Sequence, residues 1–518
     1  MEDLVQKNQE HKSEIKDPKE TNKKNILKDK EYLILIGILA FTFFIRLYYF
    51  IITKSQPVWW DEAEYLNLAK NWAFGFPPWA LPAVRPIFFP LVLSFFYKIG
   101  ANEITIRIIP FLTSIASIYL VYLIGKEMYN KKIGLISSFM LATFWSYLFF
   151  STRILVDVPV STLWLLGVFL FWKGYVKDKN KKYIWLLGPV LIITFLTKFT
   201  GALLIITILI FLIATERLSF LKNKRLWITS LFGLIILIPF LIFEKIKFGS
   251  PFEFYSAAVI EREVAERTFI QTFSDYITTT LPLVHYIYLI LFIIGFATFI
   301  TLIIGLDLLI KSKDNKLKSD FFLLLWLLIS FLYIVKLGYG SYIEERYLFF
   351  FYPAMFITAA KGLLMIYNFI AKQNRNIALI LIVGILILGG YQNLKHGNDI
   401  INLKKNSFIQ VKEAGELLKS LTSKEDAILA SQTHAELTYS SERRIIAVPI
   451  TKEEMDEIIL KERPKYYVLS IFLQEKIIER IEYPIEKNFK VVEAYGPYID
   501  QDQRIPILTI FEINYENI

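Results

Sequence analysis

The chain has 518 residues, of which 55% are hydrophobic and 16% aromatic, and it contains 44 Phe and no Cys. A soluble fold of that size would expose too much apolar surface to water, so composition puts the chain in a bilayer. The missing thiols exclude disulfides, thiolate metal sites and Cys nucleophiles. The net charge of +10 lies mainly between apolar runs, which fits membrane topology and argues against nucleic acid as a partner.

Residues 1–31 are dense in Lys, Glu, Asp and Asn and predict a flexible cytoplasmic tail, followed by an uncleaved anchor span. A spanning helix needs about 20 mostly apolar residues. Runs of that kind lie at 32–53, 105–125, 132–150, 158–174, 226–246, 283–310, 320–337, 347–369 and 376–393. The run 183–214 is interrupted only by Lys198. As one helix it would be about 48 Å long, too long for a hydrocarbon core about 30 Å thick. Lys173, Lys177, Lys179, Lys181 and Lys182 precede it, and Arg217, Lys222, Lys224 and Arg225 follow it. Basic flanks on both sides require an even number of crossings, so two helices turning at Thr197–Gly201 are expected, about eleven in all. The Lys-rich loops at 126–132, 311–319 and 371–375 then fall inside with the N-terminus. The loops 54–104, 151–157, 197–201, 247–282 and 338–346 fall outside, with the C-terminus.

Beyond about 395 the pattern changes to strands at 426–431, 444–448, 465–470 and 507–511, alternating with helices at 408–422, 451–461 and 473–481. The expected organisation is therefore a tail over 1–31, an α-helical polytopic membrane domain over 32–395 with its first outer loop at 54–104, and a small extracytoplasmic α/β domain over 396–518.

Charges beside spans are expensive and mark functional sites. Here they gather on the outer side: Asp61, Glu62, Arg85, Arg107, Arg153, Asp157, Lys198 and Arg346. The first outer loop reads Trp59-Trp60-Asp61-Glu62-Ala63-Glu64-Tyr65. Tyr65, Leu68, Ala69 and Trp72 are spaced as on an amphipathic interfacial helix, with Trp59 and Trp60 at headgroup depth. Asp61 with Glu64 three residues on fits a capping box, and Arg85-Pro86 opens an apolar helix. The plain structural role open to Lys198 and Arg346 is snorkelling to headgroups. The charges Glu261, Arg262, Glu263, Glu266 and Arg267 suit a solvated helix face or a lid. His11, His285, His396 and His434 show no ligand spacing, so no metal cofactor is expected, although Asp61 and Glu62 are the pair a divalent ion would use.

Four motifs in order resemble the GT-C glycosyltransferases, above all the protein O-mannosyltransferases and the aminoarabinose transferases of lipid A. They are Trp60-Asp61-Glu62 with Arg85-Pro86, Arg153-Ile154-Leu155-Val156-Asp157, Leu196-Thr197-Lys198-Phe199-Thr200-Gly201, and Glu345-Arg346-Tyr347-Leu348. The resemblance covers about 30–395. It implies a membrane glycosyltransferase that moves a sugar from a dolichyl- or undecaprenyl-phosphate carrier to a hydroxyl of a protein, lipid or glycan on the outer face. Asp61 and Glu62 would then be catalytic, with Asp61 the general base of an inverting displacement. Arg85, Asp157, Lys198, Arg346 and Tyr347 would bind substrate, the cations holding the departing phosphate. The competing readings are a flippase for lipid-linked sugars, which should show midplane charges and a repeat, and a non-catalytic scaffold.

Overall fold

The computed structural model describes residues 30–177, 181–260, 268–300, 302, 315–337, 344–472, 478–498 and 506–518. The tail up to position 29, the charges Glu261, Arg262, Glu263, Glu266 and Arg267, and most of the loops 303–314 and 338–343 lie outside the described residues, as do 473–477.

Apolar helices dominate the first four hundred positions. In chain order they are α1 (Lys30–Thr53), α2 (Trp60–Phe74), α3 (Phe88–Lys98), α4 (Ile108–Met128), α5 (Lys131–Thr143), α6 (Asp157–Phe171), α7 (Lys181–Thr197), α8 (Ala202–Glu216), α9 (Lys224–Phe248), α10 (Tyr286–Phe296), α11 (Asn315–Leu337), α12 (Tyr352–Ala371) and α13 (Arg375–Lys404). Among the described residues, eight helices are long and apolar enough to cross a membrane. A ninth candidate is the pair 269–284 and 286–299, bent by 115° at His285, and Phe88–Lys98 and Lys182–Thr197 are shorter. Among the described residues the expected eleven full-length spans are therefore not all found. The run 132–150 explains part of the difference, because it breaks at Phe144, whose ψ is 122°. Fully buried Arg46 donates from Nη1 to the Ala142 carbonyl at 3.1 Å, taking an acceptor that a continuing helix would use. The turn between α7 and α8 falls at Lys198, as the charge pattern requires. Gly201 is needed there, since a Cβ would lie 2.6 Å from the Thr194 carbonyl oxygen.

Several contacts fix which helix ends lie together. Glu31 at the start of α1 pairs with Lys131 at the start of α5 (3.2 Å), and Lys173 with Glu127 (2.8 Å). Near that end Lys361 of α12 meets Asp320 of α11 at 2.5 Å, and the Tyr129 hydroxyl donates to the same carboxylate at 2.7 Å. Lys361 is only 7% exposed. Asp157, Lys198, Arg346 and the first turn of α2 occupy the opposite end.

α13 runs on to Lys404, past the end of the apolar composition. A five-stranded sheet follows, built from β1 (Ala427–Ala430), β2 (Arg444–Ala447), β3 (Tyr466–Ser470), β4 (Lys490–Tyr498) and β5 (Pro506–Glu512) in the order β2-β1-β3-β5-β4. β1 pairs in parallel with β2 and β3, while β5 runs antiparallel to β3 and β4. Helices α14 (Ile409–Leu421), α15 (His434–Ser441), α16 (Lys452–Glu462) and α17 (Ile478–Glu486) flank it. β4 is the strand the sequence conceals. It contains Gly496-Pro497 and two register shifts, which only an edge strand tolerates.

α2 is covered by protein and not only along one amphipathic stripe. Tyr65, Leu66, Leu68 and Ala69 are all buried around its circumference. It is wedged between the helix bundle and α15: Asn67 donates to the Ala435 carbonyl (2.8 Å), and Lys70 pairs with Glu442 (2.8 Å).

Candidate active site

Five segments converge on Asp61. It occupies the second position of α2, because the helix begins at Trp60 with Trp59 as its cap. The expected capping role therefore falls elsewhere: Glu62, not Asp61, accepts the Trp59 backbone N–H at 2.8 Å. The Asp61 carboxylate is free to face the cleft, where Arg85 Nη2 reaches Oδ1 at 2.6 Å and Arg346 Nη1 reaches Oδ2 at 2.8 Å. Arg85 also contacts Glu64, one turn along α2, and lies over the Tyr65 ring.

Asp157 opens α6, where the helix dipole favours a carboxylate. It accepts from Lys198 Nζ at 2.7 Å and lies 3.7 Å from Arg346. Its Oδ2 is buried without a hydrogen-bond partner. Lys198 projects from the α7–α8 break. Arg346 sits in the 3₁₀ turn Glu345–Phe350 that leads into α12 and is also paired with Glu344. Tyr347 lies beneath both cations, 5.3 Å from Lys198 Nζ and 5.6 Å from the Arg346 guanidinium carbon. Cation–π attraction helps hold like charges side by side there.

Burial opposes ionisation of Asp61, but the two guanidinium groups outweigh it and hold the carboxyl at about 2. Burial raises Glu64, with Arg85 opposing and Asp61 reinforcing. The site thus interleaves three cations with acidic partners, and side chains of Asp61, Arg85 and Lys198 keep about a quarter of their surface open to solvent.

Asp61, Arg85, Asp157, Lys198, Arg346 and Tyr347 come together as the sequence motifs suggest. Glu62 does not join them. It is 0% exposed and accepts from the Ile154 N–H (2.6 Å) and Arg153 (3.2 Å), with Arg107 3.8 Å away. Arg107 in turn donates to the Gln56 carbonyl at 2.8 Å, and Arg153 packs over the Trp59 ring at 3.8 Å. Glu62 therefore fastens the 54–104 loop to the 151–157 segment and is buried away from the cluster around Asp61. Arg107 and Arg153 belong to this knot, not to the cleft. Trp59 and Trp60 are likewise drawn into protein contacts, Trp60 against His434 with ring centroids 4.2 Å apart. Glu344 carries no motif signal, whereas Glu64, expected as the capping-box partner of Asp61, contacts Arg85 instead. The spacing of Glu64 three residues after Asp61, on one helix face, is the signal that finds it. Among the described residues no group of three His, Asp or Glu side chains is placed to share a metal ion.

Residues 84–243 match the family model described as dolichyl-phosphate-mannose-protein mannosyltransferase. No curated protein resembles the chain in sequence at a significant level. The structure is similar to that of the oligosaccharyltransferase AglB from Archaeoglobus fulgidus, in complex with an inhibitory peptide and a dolichol-phosphate. The TM-score is 0.63 at 13% identity over 94% of this chain and 75% of that one. It is also similar to ArnT from Cupriavidus metallidurans in the apo state, with TM-score 0.62 at 12% identity over 93% of this chain and 98% of that one. The ArnT structure bound to undecaprenyl phosphate gives 0.61 at 12% identity, over 94% and 98%. The chain has the GT-C fold. Within this GT-C fold, Arg85, Asp157 and Lys198 fall inside the matched family segment, whereas Asp61 and Arg346 flank it on either side.

Proposed function

We propose that this chain is a membrane glycosyltransferase that transfers a monosaccharide from a polyprenyl- or dolichyl-phosphate carrier to an acceptor hydroxyl, inverting the anomeric carbon, with Asp61 as general base. The observation that carries this reading is that Asp61 is clamped by two guanidinium groups in a cluster with a third cation, Lys198. A carboxylate held at about 2 is a poor base. The donor's phosphate competes for Arg85, Arg346 and Lys198, and drawing Arg85 or Arg346 away from Asp61 raises its basicity. Donor binding thereby arms the base. The acceptor oxygen attacks the anomeric carbon and its proton passes to Asp61. The bond from that carbon to the phosphate oxygen breaks, and the electron pair leaves on the lipid phosphate. The cations stabilise that departing charge, and Asp157 orients Lys198.

The site end of the bundle is assigned to the outer face and the Lys-rich end, with Lys131, Lys173 and Arg225, to the cytoplasm. The transfer reading is tested by mass spectrometry of lipid-linked sugars and glycans in cells lacking the protein. An accumulating lipid-phosphate sugar with a matching missing glycan residue is the expected result, and unchanged profiles overturn it. Residues 312–318 labelled from outside intact cells would overturn the orientation.

A further inference from the structure

Three aromatic rings from three separate segments meet beside Asp61. Trp60, one residue before it, is 36% exposed although it is among the largest apolar side chains of α2. Its ring stands edge-on to His434 of α15, the centroids 4.2 Å apart at 83°. Trp79, from the loop between α2 and α3, lies nearly parallel to His434 at 29° and 6.2 Å. The rings thus form a corner with two roughly parallel faces and one perpendicular. Glu64, one turn on from Trp60 in α2, contacts Arg85, which in turn holds Asp61. One edge of the corner is therefore continuous with the charged cluster. The corner lies where α2 packs against α15.

Building on the transfer reading above, we propose that Trp60, Trp79 and His434 form the acceptor platform and that the acceptor is a carbohydrate. A pyranose has an apolar C–H face that lies on an aromatic ring and a rim of hydroxyls that donate hydrogen bonds. Glu64 supplies an acceptor for such a hydroxyl and Arg85 a donor to its oxygen. Trp60 directly precedes Asp61 in α2, which ties the platform to the turn that carries the base. The platform is assembled from both parts of the chain, because His434 comes from the sheet region and the Trp residues from the first outer loop. This gives the C-terminal region a role in choosing the acceptor.

The test is saturation-transfer NMR on the full chain in lipid nanodiscs, using methyl hexosides as probes. Saturation transfer to the pyranose ring protons is expected, with affinity about ten-fold weaker in Trp60→Ala and in Trp79→Ala. Trp60→Phe, which keeps a ring, should recover most of the signal. Polyprenyl-phosphate binding by the same variants reports whether the fold survives. Equal glycoside signals in wild type and in folded Ala variants would show that the rings only pack, and would overturn the proposal. A Trp60-dependent signal from Ser/Thr peptides with none from glycosides would overturn the carbohydrate assignment. Failure of the wild type to bind polyprenyl phosphate would count against the transfer reading instead.

Discussion

Replacing Asp61 by Asn changes one oxygen for an amide of the same shape and leaves the α2 cap intact, because Glu62 makes it. Stability and turnover should both drop, whereas lipid binding should not. Stability should fall. The carboxyl is held at about 2 against an ordinary 3.8, a difference worth about 2 kcal/mol at neutral pH. The sign is that of a depressed carboxyl: its contribution is present above 3.8 and lost as the pH falls through about 2. Turnover should fall far more, by roughly 10²–10⁴-fold, because Asn cannot take the acceptor proton. Lipid-phosphate binding should hold or tighten, since Arg85 and Arg346 lose the carboxylate that now competes with phosphate for them. The assay measures transfer from a polyprenyl-phosphate sugar under saturating donor, alongside direct binding of the polyprenyl phosphate. A variant with turnover within about three-fold of wild type would refute the base assignment. Weakened phosphate binding would refute the competition that is said to arm it.

Lys198→Ala and Arg346→Ala should each weaken polyprenyl-phosphate binding by about ten- to a hundred-fold, as expected for loss of one charge-assisted hydrogen bond, measured by titration in nanodiscs. Transfer by the purified chain should persist in excess EDTA, because basic side chains are in place to neutralise the leaving phosphate; loss with EDTA and recovery with Mn²⁺ or Mg²⁺ would require Asp61 to be reread as a ligand. Glu436, 4% exposed, is pushed up to about 7 from 4.5, first by burial and also by the carboxylates of Glu64, Asp61 and Glu62. Its raised value means that stability is full below 4.5 and declines as the pH rises through 7, so Glu436→Gln should stabilise the chain by up to about 3 kcal/mol at pH 8 and by little at pH 4.5, read as melting temperatures at both values.

The sequence carried the fold through charge placement as much as through hydropathy. The basic flanks of 183–214 require the break that the structure has at Lys198, and β1, β2, β3 and β5 were legible as β-rich runs. β4 was not, because Gly496-Pro497 is the signature of a loop unless a strand lies at a sheet edge. In the site, Asp61, Arg85, Asp157, Lys198 and Arg346 each stood out as costly charges near helix ends. The role of Glu62 was illegible because neighbours on a helix point about 100° apart. Whether position 61 or 62 faces the cleft depends on where the helix starts. Asp61 resembled a cap, yet Glu62 draws the start back to Trp60 by bonding the Trp59 N–H. No local pattern records that Arg107 and Arg153 would be waiting for Glu62, since they arrive from 45 and 91 residues away, as counted from Glu62.

The buried pair of Lys361 and Asp320 bears on how the chain reaches the membrane. A Lys at the middle of a helix, as Lys361 is in α12, costs about 3 kcal/mol when its segment leaves the translocon alone, and Asp320, five residues into α11, adds a smaller cost. α11 and α12 are consecutive, and each carries one of the two charges. Released together as a hairpin they present a neutral, hydrogen-bonded pair to lipid, with Tyr129 from the preceding bundle already able to receive Asp320. The pair therefore couples the lateral exit of two successive segments during synthesis. Removing Lys361 alone should leave α12 easier to insert and α11 harder to retain.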